Sequence, residues 1–294
     1  MNIIEEFLNY LQFELNRSPK TVQSYSEDLK LFEEYFKNLD THLSWESVDS
    51  DIIRDWMESM MDKGNSARSV CRRLAALHSL YRFALSRSLV DKDPSRGIVA
   101  PKGSKPLPQF LKEKEMNQLL DHLEWGTEFK DVRTRTIIMV FYETGIRLSE
   151  LVGLDDADVD LSNGQLKVTG KGNKQRIVPF GKELCKALTI YRDDRDRLFD
   201  RKDTAFFVSD KGTRMLPSTV RRHVEERIAQ VSSLKKKSPH VLRHTFATAM
   251  LNHGAGIENV KKLLGHASVS TTEIYTHTTF EQLKRVYEKA HPRA

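Results

Sequence analysis

Apolar positions in the first third of the chain recur at helical spacing. Ile3, Ile4, Leu8, Leu11 and Leu15 mark one stripe, and "SPKTVQSYSEDLKLFEEYF" restarts the period at Val22, Tyr25, Leu29, Phe32 and Phe36. Ser18 and Pro19 form the start signal of that second helix. A third helix is predicted from Asp51 to Asp62 with Ile52, Ile53, Trp56, Met57 and Met60 inward, ended by Gly64. The fourth, "SARSVCRRLAALHSLYRFAL", turns Val70, Leu74, Leu77 and Tyr81 inward and shows Arg68 and Arg72, one turn apart, on its other face. Four helices with short joins describe a small bundle.

The pattern then breaks. "DKDPSRGIVAPKGSKPLPQFL" concentrates proline and glycine too densely for a helix to continue. It divides the chain into a helical domain over 1–97, an extended linker over 98–108 and a second domain over 109–294. In the second domain "KEKEMNQLLDHL", "RTRTIIMVFYETG" and "RLSELVGLDDADVDL" read as helices, the last stopping at Gly153. At "GQLKVTGKGNKQRIVPF" the period switches to two: Leu166 and Val168 alternate with polar residues, a Gly-Lys-Gly-Asn turn follows, and Ile177 and Val178 resume. This predicts a β-hairpin with Lys171 at or near its tip. "AFFVS" at 205–209 is a candidate third strand, and helices return from Pro217 to the end. The fold class is mainly α with a small antiparallel sheet.

Length and composition fit this picture. With 294 residues, two domains can each bury a core without staples, and Cys71 and Cys185 are too few for a disulfide framework. The N-terminus is acidic where a signal peptide would be basic, and the longest apolar run, Ile137 to Tyr142, falls far short of a membrane span. A cytoplasmic protein without membrane association is expected. Charge changes the picture more. Residues 1–97 carry a net charge of -3, whereas residues 98–294 carry +9. A basic half of that kind suits a polyanion such as nucleic acid, although an ordinary solvated surface would look the same on charge alone.

Candidate chemistry concentrates in the basic half: Arg147 after Thr144-Gly145, Lys171 in its turn, His240 with Arg243, His266 after Gly265, and Tyr275. Singly, each has a plain explanation as a solvated charge, a turn residue or a core tyrosine. His240 and His244 have zinc-ligand spacing, but Val241 stands where the zincin motif needs Glu, and no third ligand is recognisable. "GKGNK" lacks a phosphate-binding glycine loop, and no Gly-x-Ser-x-Gly elbow occurs. No metal and no cofactor is expected. Together the six groups suit a phosphodiester. Guanidinium pairs match non-bridging oxygens and can hold the extra charge of a pentacoordinate transition state. Histidines and lysine can handle protons, and a tyrosine hydroxyl among cations can serve as nucleophile. His240 and Arg243 share one face of a first helical turn, where free N–H groups also favour an anion, with Phe246, Ala247, Met250 and Leu251 expected to anchor the helix in the core.

"TGIRLSELVGL", "TGKGNKQRIVP", "SPHVLRHTFATAML" and "LLGHASVSTTEIYTH" resemble, in order and spacing, the boxes of the tyrosine site-specific recombinases of the phage-integrase family. The first half is similar to the core-binding domain and linker of its Xer branch. The resemblance implies a SAM-like four-helix core-binding domain and an α-rich catalytic domain forming a C-shaped clamp on double-stranded DNA. It implies Arg147 and Arg243 as phosphate-clamping arginines, His240 and His266 as the proton-handling pair, Lys171 as general acid and Tyr275 as the nucleophile forming a 3′-phosphotyrosine link without metal or ATP. Arg68 and Arg72 would face DNA, and Glu150 would orient Arg147 from behind. The amphipathic tail after Tyr275 would dock on a neighbouring subunit or pack on its own domain. Expected partners are a dif-like DNA site, a second copy or second Xer-type recombinase in a tetramer, and a DNA translocase of the FtsK type. The expected function is resolution of chromosome dimers during segregation. An integrase or invertase of a mobile element remains open beside it, as does a sequence-specific DNA-binding protein that does not cleave.

Overall fold

A computed structural model describes residues 2–103, 108–170, 172–201, 203–265 and 277–294. The chain divides into two compact units, Met1–Pro106 and Leu107–Ala294.

In the first unit, α1 (Ile3–Asn9) runs on as a wider π turn over Tyr10–Glu14. It is followed by α2 (Pro19–Leu39), α3 (Ser50–Asp62) and α4 (Ala67–Ser86). Each of the last three starts where a side chain caps free backbone N–H groups: Ser18 accepts from Thr21, Asp49 from Asp51 and Ile52, and Ser66 from Ser69. The apolar stripes meet as the sequence pattern requires, with Phe7, Phe32, Phe36, Trp56, Leu77 and Tyr81 in one core and the Phe32 and Trp56 rings 4.7 Å apart. The first linker residues run back along α4, where the Pro101 carbonyl accepts from Cys71 Sγ at 3.3 Å.

The second unit is built around α6 (Phe129–Thr144), which follows α5 (Glu113–Asn117) and its π extension Gln118–His122. Nearly every residue of α6 from Arg133 onward is buried, polar ones such as Arg133, Thr136 and Glu143 included, so the helix is enclosed on all sides rather than amphipathic. It ends at Gly145, whose φ of +60° and lack of a side chain are both needed, since a Cβ there would collide with Phe246. After the short α7 (Leu148–Val152) come β1 (Val159–Asp160), β2 (Gln165–Thr169) and β3 (Gln175–Pro179), an antiparallel sheet in that order with Leu166 opposite Val178 and Val168 opposite Arg176. Then follow α8 (Lys182–Leu198), α9 (Pro217–Ala229), α10 (Pro239–Asn252), α11 (Ile257–Leu264) and α12 (His277–Ala290).

Two expectations are corrected. The third strand is Val159–Asp160, whereas 205–209 makes only isolated bridges, Asp155 with Ala205 and Val208 with Arg214. Side chains occupy the backbone there instead. The Phe206 carbonyl accepts from Tyr191 Oη at 3.1 Å and Arg195 Nη1 at 2.7 Å, and the Val208 carbonyl accepts from Arg133 Nη1 at 2.9 Å. A buried apolar run whose polar atoms are satisfied by arginines has no need of a strand partner. On α10, Phe246 and Met250 are buried as expected, but Leu251 is 41% exposed because it falls on the helix's outer face.

Candidate active site

Arg147 is the residue that opens α7, and Glu150, one turn on, folds back to it. The Glu150 carboxylate accepts from the Arg147 backbone N–H and from Arg147 Nη1, both at 2.8 Å. The same carboxylate accepts from Arg176 Nη1 and Nη2 at 2.9 Å each, a bidentate pair reaching in from β3. Burial pushes Glu150 up, but the hydrogen bonds and charges of Arg176 and Arg147 outweigh it and hold the carboxyl at about 2.

Three arginines then divide the last carbonyls of α11. Arg176 Nε donates to Leu263 at 2.8 Å, Arg243 Nη2 to Leu264 at 2.7 Å and Arg147 Nη2 to Gly265 at 3.0 Å. A helix C-terminus leaves such carbonyls unpaired and carries negative dipole charge, so guanidinium groups suit it. Arg243 reaches across from α10 and also donates from Nη1 to the Gly145 carbonyl at 2.5 Å. Burial first, and the neighbouring Arg147 and Arg176 charges after it, lower the Arg243 pKa to about 10 against the opposing pull of Glu150. It stays charged at neutral pH. The cluster therefore gathers three guanidinium groups around the Glu150 carboxylate and the carbonyl end of α11.

His240 stands one turn before Arg243 on α10. Although exposed overall, it is lowered below the ordinary histidine range by partial desolvation first and by the Arg243 charge second. It lies on a pocket of about 740 Å³ that also takes in Leu148, Arg221 and the run Lys235, Lys236 and Lys237, with Glu225 and Glu226 on its wall. The structure thus brings Arg147 and Glu150 of α7 and His240 and Arg243 of α10 into one neighbourhood. Lys171, His266 and Tyr275 lie outside the described residues.

The phage integrase family model matches residues 109–282, and the phage integrase N-terminal SAM-like domain matches residues 4–88. The tyrosine recombinase XerC of Chlorobaculum tepidum is 39% identical, covering 98% of this chain and 94% of that protein. The tyrosine recombinase XerD of Staphylococcus epidermidis is 36% identical over 99% of both. Among solved structures, XerA recombinase is similar at 29% identity over 99% of both chains with a TM-score of 0.50. XerH recombinase bound to its difH substrate shares the fold with a TM-score of 0.71 at 24% identity, over 96% of this chain and 82% of that one. The chain belongs to the phage integrase family.

It is a tyrosine recombinase of the Xer kind, an enzyme of site-specific recombination that breaks and rejoins DNA. Arg176 is the member of the recombinase's arginine cluster that sequence reasoning missed. A signal was present: Arg176 is two residues from Val178 and so faces inward, a charged residue at a core position of a strand. In the helical unit, Arg68 is exposed, but Arg72 is not a freely solvated cation. It donates to Ser24 Oγ at 2.7 Å and forms an ion pair with Asp28, whose residue is 2% exposed. Burial raises Asp28 more than Arg72 and Arg73 lower it. A large part of Arg72's charge is thus spent inside the protein. The tail helix α12 packs on its own domain, with Leu283, Tyr287 and Ala290 buried beside Phe246 and Met250.

Proposed function

We propose that the arginine cluster binds the scissile phosphate of duplex DNA, with Arg147 and Arg243 on its non-bridging oxygens. Tyr275 Oη attacks phosphorus to form a 3′-phosphotyrosine link, Lys171 protonates the leaving 5′ oxygen, and His240 and His266 handle the remaining protons. The observation that carries this reading is the convergence of Arg147, Arg176 and Arg243 on the carbonyl end of α11, with His240 one turn before Arg243. Grouped guanidinium groups match the non-bridging oxygens of a phosphate, to which they make charge-assisted hydrogen bonds. Bond energy kept in the tyrosyl ester lets strands exchange without ATP.

The target we propose is a dif-like site, and the role the resolution of chromosome dimers at segregation. The work would be done in the cytoplasm by a tetramer of this chain with itself or with a second Xer-type recombinase, under a DNA translocase of the FtsK type. The names of the relatives, XerC and XerD, support this reading over that of a mobile-element enzyme.

A duplex nicked near the cleavage point tests the chemistry, because the short 5′ fragment diffuses away and traps the adduct. The native chain is expected to accumulate covalent protein-DNA complex and Tyr275→Phe none. Equal trapping by both removes Tyr275 from the reaction. Arg243→Ala should lose at least ~100-fold in cleavage while gel-shift affinity holds within a few-fold, since many other phosphate contacts remain. Joint loss of both would make Arg243 a binding or folding residue.

A further inference from the structure

Arg176 enters the arginine cluster from the element that carries a different catalytic group. It lies on β3 opposite Val168, five residues beyond Lys171 in the same hairpin. Yet all three of its nitrogens bond outside that hairpin, two to Glu150 on α7 and one to the Leu263 carbonyl at the end of α11. The turn meets the same carboxylate. A Cβ at Gly170 would stand 3.2 Å from Glu150 Oε1 and 3.8 Å from Arg176 Nη1, so the residue before Lys171 lies directly against the ion pair. A continuous chain of contacts therefore runs from the hairpin turn through Arg176 and Glu150 to Arg147.

We propose that Arg176 is a positioning residue for leaving-group protonation: it docks the hairpin on Glu150 so that Lys171 and Arg147 serve the same phosphate. The inference rests on the reading of Lys171 as general acid. In the step concerned, Tyr275 Oη bonds to phosphorus as its own proton passes to the histidine pair, the bond from phosphorus to the 5′ oxygen breaks, and the proton on Lys171 Nζ passes to that oxygen. A short hairpin has little stiffness of its own. A planar guanidinium making three directed bonds supplies it, and an ammonium, a point charge on a flexible stem, does not.

The test uses the full chain and two nicked duplexes of one sequence, one with the natural 5′ oxygen and one with sulfur in its place. A thiolate leaves without a proton, because thiols ionise near ~8.5, so the sulfur duplex has no need of the general acid. On the oxygen duplex, Arg176→Lys and Arg176→Met should form covalent adduct about 100-fold more slowly, the scale of an ångström's misplacement. Gel-shift affinity and a cooperative melt should be retained. On the sulfur duplex both variants should recover most of the loss, as Lys171→Ala should. Gly170→Ala, which crowds the turn against Glu150 without removing any charge, should show the same signature at about 10-fold.

Unchanged rates on oxygen, or equal slowing on both duplexes, would overturn the proposal; equal slowing marks a residue that merely holds the fold. If sulfur fails to rescue Lys171→Ala, the general-acid reading falls and this inference with it. If it rescues Lys171→Ala but not the Arg176 variants, the inference alone is lost.

Discussion

Glu143 and Glu150 are separated by seven positions, are 0% and 3% exposed, and have opposite fates. Glu150 at the arginine cluster is held at about 2. Glu143, beneath α12, is pushed up to about 8 by burial, which the weak donors Gly181 N–H at 3.4 Å and Tyr287 Oη at 3.3 Å only partly offset. Both donate to Oε2, and Oε1 has no hydrogen-bond partner among the described residues. Nearby His291 stacks on Tyr287 at 5.1 Å and is lowered by burial to about 4. At neutral pH the helix dock is therefore built from a protonated acid and a neutral imidazole, whereas the cluster is built from full charges. Burial alone does not decide ionisation; the number and strength of the partners does. The enzyme concentrates charge at the arginine cluster and keeps it out of the place where a helix packs.

The comparison breaks most directly by deletion. Glu150→Ala strands two partly buried guanidinium groups and should cost about 3–5 kcal/mol in urea denaturation. Glu143→Gln replaces one neutral group with another and should stay within about 1 kcal/mol of native at pH 5. Similar costs for the two would mean that Glu143 is also ionised.

Stability against pH sharpens it. Glu150 is depressed, so its stabilisation of about 3 kcal/mol is present above 4.5 and lost as pH falls toward 2. Glu143 is raised: between 4.5 and 8 the unfolded chain has released a proton that the folded one keeps, so stability falls as pH rises through that window. His291, depressed to about 4, acts in the other direction, its contribution growing from pH 4 to 6.5. The two largely cancel up to 6.5 and leave a net fall from 6.5 to 8. Glu143→Gln should abolish that fall and leave the acid limb intact. A decline that persists in the variant would locate its source elsewhere.

The smallest expected effect is that of Tyr287→Phe, which removes one hydroxyl donor from the dock at a cost of about 1 kcal/mol and leaves adduct formation unchanged. A loss of cleavage without a loss of stability would couple α12 to the chemistry.

Much of this was legible in the order of residues. The helices of the first unit carry the apolar stripes that the periodicity marks, Gly145 and Gly153 end their helices, and the hairpin pairs where alternation predicts it. Glu150 and Arg147 are one turn apart, and their contact follows from that spacing. The misreadings arise where a local pattern has two outcomes. Residues 205–209 look like a strand because Phe206, Phe207 and Val208 are apolar residues that favour strands, but arginines from α6 and α8 take their carbonyls. Arg72 looks solvent-facing on a helix wheel, and a carboxylate 44 residues away claims it.

The sequence by itself determined which faces turn inward and which polar groups exist to be assembled, because backbone periodicity is a local property that a few residues can express. Only the tertiary structure decided the charges. Whether Arg176 meets a carboxylate, whether Glu143 keeps its proton and which arginine takes which carbonyl of α11 depend on groups brought together from distant positions, as with Glu143 and Tyr287 at a separation of 144 residues. Electrostatic energy depends on distance and desolvation in the folded state, and neither is written in the spacing of residues along the chain.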